Sequence, residues 1–362
     1  MTVAPLKKAE KGDHLNREDI QALLALNDPA DLSRLFSAAR RARYDCFGKT
    51  VFLYGFLYFS THCRNNCHFC QYRKDNTSLA RYRKNLADTL KAAKQMAQTG
   101  VHLIDLTMGE DPQFHRTGFQ PLVNLVRAVK RETGLPVMVS PGVVPDSVVK
   151  EIATSDAQWL ACYQETHNKS LYTKLRPAQD YDLRMACKQT AAKKGLLVEE
   201  GLLTGVGETL NDLADSIITM RDMSFDQVRV MTFVPQSGTP MSESIKVSRL
   251  MEQKVIAVMR LAMPDRLIPA SLDVDGLDGL KARLDAGANV VTSIVPPAEG
   301  LAGVANNSLD IEDARRSVDF VSQILKDCGL CVASQNEYED WIRQRKQLQQ
   351  TSRTKMMAAG AA

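Results

Sequence analysis

Short apolar runs alternate with amphipathic stretches along most of the chain. Eight of the runs have the length and composition of buried strands, and they lie at residues 51–58, 102–107, 136–140, 158–163, 196–203, 227–233, 267–272 and 289–293. Eight stretches with helical periodicity lie between or after them, at residues 86–99, 119–132, 146–153, 180–194, 209–222, 249–262, 277–285 and 310–327. Strands that alternate with helices in this order predict parallel βα units.

The number of units favours one α/β architecture. Eight βα units within residues 46–335 predict a (β/α)8 TIM-type barrel. The alternative is an open doubly wound sheet, which usually has fewer units and a glycine-rich phosphate loop after its first strand. No G-x-G-x-x-G occurs there. Residues 1–45 are predicted to form an N-terminal helical extension, and residues 336–362 a helical tail with a disordered end.

Composition and charge narrow the class of protein. Of the 362 residues, 44% are hydrophobic and 24% are charged, as in an ordinary globular protein. Basic and acidic residues are interspersed along the chain, and the net charge is only +4, so nucleic acid is not favoured as a partner. The N-terminus has no apolar signal-peptide region, and no run approaches the roughly 18 apolar residues of a membrane span. We therefore expect a cytoplasmic protein with no membrane partner. We also expect the protein to be a monomer.

Three cysteines are crowded into the loop T-H-C-R-N-N-C-H-F-C-Q-Y-R, directly after the first predicted strand. Cys63, Cys67 and Cys70 have the spacing C-x3-C-x2-C. Thiolates hold iron–sulfur clusters, and because a [4Fe–4S] cube normally takes four, three ligands leave one iron open to another chelating molecule. Zinc is the alternative, since His62 or His68 could supply the fourth ligand of a tetrahedral site.

Four of the remaining cysteines are predicted to have structural roles. Cys162 and Cys187 fall at apolar positions of a strand and a helix, as small core residues do. Cys328 and Cys331 form a C-x2-C pair near the C-terminus. An auxiliary cluster there would need a further cysteine pair, which the sequence lacks, so a packed turn is the preferred interpretation.

The three-cysteine motif at the end of a first barrel strand resembles the signature of the radical S-adenosylmethionine (SAM) superfamily, over about residues 46–335. The resemblance implies that Cys63, Cys67 and Cys70 hold a [4Fe–4S] cluster whose open iron binds the amino and carboxylate groups of SAM. It also implies that an electron, from a donor such as ferredoxin or flavodoxin, cleaves SAM to a 5′-deoxyadenosyl radical.

The same resemblance assigns further residues to SAM. M-G-E-D-P after the second strand is similar to the superfamily's G-G-E-type segment, although Met108 stands where the first glycine is expected. Y-Q-E-T-H-N at 163–168 and G-L-L-T-G-V-G-E-T at 201–209 are similar to segments of the biotin-synthase-like branch. The residues implied to contact SAM are Phe69, Gly109, Glu110, Ser140, Glu165 and Arg184. For the last two, a salt bridge with each other at the rim is the alternative.

Within this branch, the run V-F-L-Y-G-F-L-Y-F-S before the cysteines and S-L-D-V-D-G-L at 271–277 resemble the methylornithine synthase family. This resemblance implies an isomerase that converts L-lysine to 3-methylornithine by radical fragmentation and recombination, as the first step of pyrrolysine biosynthesis. Two alternatives stay open within the branch. One is sulfur insertion, as in biotin synthase, which would need cysteines on inner strands. The other is an enzyme of the hydrogenase-maturation type that acts on another small amino-acid-derived substrate.

Strand parity, which needs no family resemblance, predicts charged groups inside the barrel. The apolar positions of strands two, six and seven face the helices, which places Asp105, Arg229, Ser271 and Asp273 in the interior. Buried charges need partners, so Arg229 either pairs with an aspartate and ties strands together or belongs to a cage for a small zwitterion. In the cage, Arg229 would bind an α-carboxylate, and Asp105, Asp273 and Ser271 would hold amino groups, as lysine requires. Asp111 at the rim is a further candidate, unless it only shapes its turn.

Overall fold

The computed structural model describes residues 3–296, 299–305 and 315–360 of the chain. Three helices precede the first strand, and they are α1 (Val3–Lys11), α2 (Arg17–Leu24) and α3 (Pro29–Phe47). The starts of α2 and α3 follow from the sequence. Asn16 and Asp19 form a reciprocal capping box on α2, and Asp28 caps α3 directly before a proline at its first position.

Eight parallel strands then form a barrel, and they are β1 (Thr50–Ser60), β2 (Leu103–Met108), β3 (Val137–Ser140), β4 (Trp159–Ala161), β5 (Leu197–Thr204), β6 (Gln227–Thr232), β7 (Pro269–Ser271) and β8 (Val290–Ile294). Their spatial order is β6-β5-β4-β3-β2-β1-β8-β7. A parallel bridge between Gln227 and Leu267, beside the ends of this path, nearly closes the ring. Such closure excludes an open doubly wound sheet and confirms the TIM-type barrel.

Helices cover the outside of the barrel, and they are α4 (Leu86–Gln98), α5 (Pro112–Thr117), α6 (Gln120–Thr133), α7 (Asp146–Ala153), α8 (Lys169–Leu175), α9 (Tyr181–Lys193), α10 (Leu210–Asp222), α11 (Leu250–Ala262), α12 (Leu280–Asp285) and α13 (Val318–Asp327). All eight predicted strands occur within two residues of their expected ends. The short helices α5 and α8 were not expected, although Asp111 and Asn168 cap them. Of the helix expected at 310–327, residues 310–314 lie outside the described residues.

The parity of the strands separates two cores. Outward residues such as Ile104, Val228 and Cys162 pack with the helices in one large apolar cluster. Inward residues near the N-terminal ends of the strands form a second cluster, which includes Phe52 and Trp159. The interior is therefore apolar at its base, and the predicted polar side chains lie above this layer. No helix among the described residues is long and apolar enough to cross a membrane.

The base of the barrel is covered by the C-terminal segment. It contains the short strand β9 (Cys331–Val332), which pairs with the start of β1, and the helix α14 (Gln335–Gly360). Tyr338 of α14 is fully buried, with its hydroxyl 2.8 Å from that of Tyr54 inside the barrel. Trp341 stacks on Trp159, with ring centroids 5.8 Å apart and planes within 1° of parallel. This helix therefore closes the N-terminal end of the barrel.

We expect replacement of Tyr338 by alanine to lower the free energy of unfolding by about 3–5 kcal/mol, because it leaves a cavity under the barrel. Equilibrium denaturation in guanidinium chloride measures this change. Leu348→Ala, at an exposed position of the same helix, is the matched control and should change stability by less than about 0.5 kcal/mol. Equal stability of the Tyr338→Ala variant and the parent chain would contradict the closing role of α14.

Candidate active site

A cavity opens at the C-terminal ends of the strands, where barrel enzymes have their active sites. Its volume, including the open mouth, is about 840 Å³, which is within the range of small-molecule sites. The side chains that line it come from the cysteine loop and from several strands. Those that the sequence had singled out are Phe69, Cys70, Asp105, Ser140, Glu165, Arg229 and Asp273.

The cysteine loop crosses the mouth of β1. Cys67 is buried, while Cys63 and Cys70 are half-buried. Two side chains donate hydrogen bonds to Cys67 Sγ, Gln179 Nε2 at 3.1 Å and Arg176 Nη1 at 3.4 Å. Such donors stabilise a thiolate, the form that ligates iron. The three thiols are free, and Cys70 faces the cavity, so an iron held here would have access to a ligand inside it.

Electrostatics of the loop also suit a cationic cluster. Burial, followed by the charge of Cys67, raises the pKa of Cys63 to about 11. Burial and the charges of Cys67 and Cys63 raise the pKa of Cys70 as well. Bound iron would offset this cost by pairing with the thiolates. The described residues contain no three His, Cys, Asp or Glu side chains grouped around one ion, whereas a cube spreads its cysteines over separate irons.

The loop is held in place by backbone contacts. Arg81 donates to the carbonyl oxygens of Thr61 at 2.8 Å and Arg73 at 2.9 Å. Gly109, in the predicted SAM segment, donates its N–H to Ser60 O at 2.9 Å, and a Cβ at this position would collide with the carbonyl group of His62. Glycine is therefore required here for close packing of two loops, whatever else the segment binds.

Two buried ion pairs lie beside the loop. Arg184 Nη2 donates to Glu110 Oε1 at 2.7 Å, and Arg176 Nη2 donates to Glu165 Oε1 at 2.7 Å. The rim salt bridge between Glu165 and Arg184, considered from the sequence, is wrong, because each group has another partner. Arg184 does not line the main cavity, and it lies instead in a neighbouring pocket with Glu110 and Gln179.

Arg176 was missed by the sequence analysis. It precedes Pro177 at the end of α8, and no strand parity or motif marks it. Its guanidinium group contacts Cys67 and Glu165 and lies 5.2 Å from the ring centroid of Phe69. Arg176 thus joins the cysteine loop to Glu165, whose backbone adopts a left-handed φ of 68°. Burial raises the pKa of Glu165, even though Arg176 opposes this effect.

Deeper in the barrel, Arg229 pairs with a residue that the sequence analysis did not assign. Arg229 Nε donates to Glu199 Oε1 at 2.7 Å, and the Tyr163 hydroxyl donates to Glu199 Oε2 at 2.8 Å. Pairing of Arg229 with Asp105 or Asp273, one of the two alternatives considered from the sequence, is therefore wrong. Parity could have found Glu199, because Leu197 below it and Leu203 above it also face inward.

Asp105 has no cationic partner among the described residues. Its Oδ1 accepts hydrogen bonds from Ser140 Oγ at 2.9 Å and Thr107 Oγ1 at 3.1 Å. Burial and, second, the negative charge of Glu199 raise the pKa of Asp105 to about 7. This carboxylate can therefore gain a full negative charge when a cation enters the cavity.

Asp273 lies across the cavity and is already paired. Arg316 Nη1 donates to its Oδ1 at 2.9 Å, and the Val304 N–H donates to its Oδ2 at 3.3 Å. Ser271 is buried one layer deeper, where its hydroxyl accepts from the Asp273 N–H at 3.3 Å. Ser271 thus supports Asp273 and does not line the cavity.

The assignment of Asp111 to the substrate is corrected by the structure. Its carboxylate is fully buried and accepts from Arg83 Nε at 2.6 Å, Ser60 Oγ at 2.6 Å and the Gln113 N–H at 2.9 Å. These bonds cap α5 and anchor the chain beside β1. Asp111 is not among the residues that line the cavity, and its oxygens are used within the protein.

Comparison with known proteins places these features in a family. The sequence model of the Radical SAM superfamily matches residues 57–219. The 3-methylornithine synthase of Methanosarcina barkeri is 44% identical over 335 residues, which are 92% of this chain and 94% of that protein. The [FeFe] hydrogenase maturase subunit HydE of Thermotoga maritima is 30% identical over 289 residues, 79% of this chain and 82% of that protein. The crystal structure of methylornithine synthase (PylB) has a TM-score of 0.88 at 43% identity and covers 93% of this chain and 100% of that one.

A parallel barrel with a three-cysteine loop over a largely apolar cavity that contains a few charged side chains is the architecture of a radical SAM enzyme. The chain belongs to the family of the 3-methylornithine synthases, within the radical SAM superfamily. Its cofactors are accordingly a [4Fe–4S] cluster and SAM, which the donors and thiols of the loop fit. The family and the cofactors inferred from the sequence are thus confirmed.

We expect that replacing any one of Cys63, Cys67 and Cys70 by alanine abolishes cluster assembly and the formation of 5′-deoxyadenosine, because the cube then lacks a ligand. Iron and acid-labile sulfide analysis of anaerobically reconstituted protein, followed by chromatography after addition of SAM and dithionite, measures both. Cys46→Ala, at an exposed cysteine of α3, is the control and should behave as the parent chain. Full SAM cleavage by a variant of the loop would contradict the assignment of these ligands.

Proposed function

We propose that this chain isomerises L-lysine to 3-methylornithine, by radical fragmentation and recombination of the carbon skeleton, as the first step of pyrrolysine biosynthesis. Relatives with 44% and 42% identity over more than nine-tenths of the chain carry the name 3-methylornithine synthase. The observation that carries the proposal for this chain is the set of charges inside the barrel.

The described interior has one net negative charge when its carboxylates are ionised. Glu199 faces Arg229, Asp273 faces Arg316, and Asp105 has only hydroxyl partners. An unmatched buried charge is destabilising, so a ligand with one net positive charge binds in such a site with the smallest electrostatic penalty. Lysine, with two ammonium groups and one carboxylate, has that net charge at neutral pH.

Each of these side chains has a defined task in the proposal. Arg229 receives the α-carboxylate through its two Nη atoms, and Asp105 and Asp273 hold the ammonium groups. Phe69 and Tyr163, which line the cavity wall, exclude water from the reacting carbon atoms.

Closer to the mouth, we assign Cys63, Cys67 and Cys70 to three irons of the cluster. Glu165 and Arg184 are assigned to the methionine part of SAM, with Phe69, Gly109, Glu110 and Ser140 near the same molecule. When bound, the cluster and SAM supply the 5′-deoxyadenosyl radical that starts the rearrangement. Ferredoxin or flavodoxin would supply the electron, and we expect the chain to act as a monomer in the cytoplasm.

The two alternatives within the branch receive less support. Sulfur insertion would need cysteines inside the barrel, but Cys162 faces outward and Cys70 is the only cysteine on the described cavity wall. A substrate of the hydrogenase-maturation type would have to match the same charges. The relative of that type is 30% identical, below the two methylornithine synthases.

Incubation of reconstituted protein with SAM, dithionite and uniformly 13C-labelled L-lysine tests the proposal. Substrate and product are isomers, so chromatography must separate them before mass and 13C spectra identify the methyl branch. Arg229→Lys keeps the charge beside Glu199 but loses the two-pronged contact, and we expect about a 10- to 150-fold loss of turnover. Cleavage of SAM without any branched product would contradict lysine as the substrate.

We also expect lysine binding to depend on the ionisation of Asp105. Because the pKa of this group is about 7 in the free site and the ionised form pairs with an ammonium group, the Kd for lysine should fall as the pH rises from 6 to 8. The change should be about tenfold, following the ionised fraction. Equilibrium dialysis of lysine against SAM-loaded protein measures it.

Asp105→Asn should bind lysine weakly at every pH and remove most of this dependence. Asp182→Asn, at an exposed pair with Lys169 outside the cavity, is the control and should keep the profile of the parent chain. The same pH profile in Asp105→Asn as in the parent chain would exclude Asp105 as the titrating group.

A further inference from the structure

We propose that Glu199 is a positioning residue, which orients the guanidinium group of Arg229 toward the carboxylate of the substrate. The inference rests on the proposed function, in which Arg229 receives that carboxylate. Neither the sequence resemblance nor the comparisons assign a role to Glu199.

The register of the sheet places Glu199 where it can do this. On β5, Glu199 lies opposite Ala161 of β4 and Gln227 of β6, and Gly201 lies opposite Arg229. Glu199 is fully buried, and both its oxygens are used, one by Arg229 Nε and one by the Tyr163 hydroxyl. A carboxylate with two strong donors in a dry interior has little freedom to move.

This pairing determines which atoms of Arg229 remain for a ligand. Nε is occupied by Glu199, and no described residue accepts a hydrogen bond from Nη1 or Nη2. A substrate carboxylate must therefore approach the end of the guanidinium group, through the two Nη atoms, and not its side. Because Glu199 occupies Nε, it blocks the approach from the side and leaves the approach through the two Nη atoms.

Tyr163 fixes the plane of the same group. Its ring centroid is 5.5 Å from Arg229 Cζ, and its hydroxyl is held by Glu199. The ring itself is packed against Gly201, where a Cβ would lie 2.9 Å from it, so a larger residue would displace the ring. An arginine in solution samples many rotamers, and holding it before the ligand arrives reduces the entropy lost on binding.

Two variants of Glu199 separate orientation from charge. Glu199→Asp keeps the negative charge but is one methylene shorter, so it cannot reach Arg229 and Tyr163 together. Glu199→Gln keeps the reach and an acceptor oxygen but loses the charge. If Glu199 only balanced the charge of Arg229, the glutamine variant would have the larger effect. If Glu199 orients Arg229, the aspartate variant will have the larger effect.

The measurement compares two ligands of SAM-loaded protein by equilibrium dialysis. They are L-lysine and 1,5-diaminopentane, which has both ammonium groups but no carboxylate. The parent chain should prefer lysine, and Glu199→Asp should lose roughly 10- to 100-fold of that preference while its affinity for diaminopentane is unchanged. Glu199→Gln should retain most of the preference. Tyr163→Phe should lose part of it.

Glu200→Asp is the matched control. Glu200 is the next residue of β5, equally buried, but it faces outward to Lys188. This variant should lower stability without changing the preference for lysine. An unchanged preference in Glu199→Asp, or a larger change in Glu199→Gln, would overturn the proposal. The turnover assay on the parent chain distinguishes the two possible failures. If the parent chain makes the branched isomer, the proposed function stands and only the role of Glu199 has failed.

Discussion

Charge pairing inside a nearly closed parallel barrel determines how the site is built. The charged side chains in the interior are buried, so each ionised group there needs an opposite charge or several hydrogen bonds. Glu199 with Arg229, Asp273 with Arg316 and Glu165 with Arg176 meet that requirement within the protein. Among the described residues that line the cavity, the carboxyl group of Asp105 is the one with hydroxyl partners and no cation beside it. In the proposed function, a cationic group of the substrate supplies the missing charge.

Much of this arrangement was predictable from the sequence, because strand parity is a strict geometric rule. A strand residue flanked on both sides by outward apolar residues faces inward, and Asp105 and Arg229 do line the cavity. Asp273 also lines it, although it lies beyond the end of β7, where its neighbour Val274 faces the cavity as well. The same rule applied to β5 would have found Glu199. The cysteine spacing was equally informative, since few structures need three thiols within eight residues of one loop.

The partners of these groups were less predictable. Arg176 lies at the end of a short helix, and Arg316 lies beyond the last barrel strand, so neither belongs to a periodic element of the barrel. Their pairing depends on how loops meet over the mouth, which local sequence does not encode. Asp111 shows the converse, because a carboxylate at the end of a strand is equally suited to a helix cap and to a ligand.

The closure of the base by α14 has a consequence for the order of events in the cavity. With Tyr338 and Trp341 packed under the barrel, the described part of the chain leaves the chamber open at one end, the one that carries the cysteine loop. Arg229 and Asp105 lie below Glu165 and Phe69 in this one-ended space. The two positions therefore share one entrance, and a molecule bound at the lower residues enters and leaves along a path that passes the upper position.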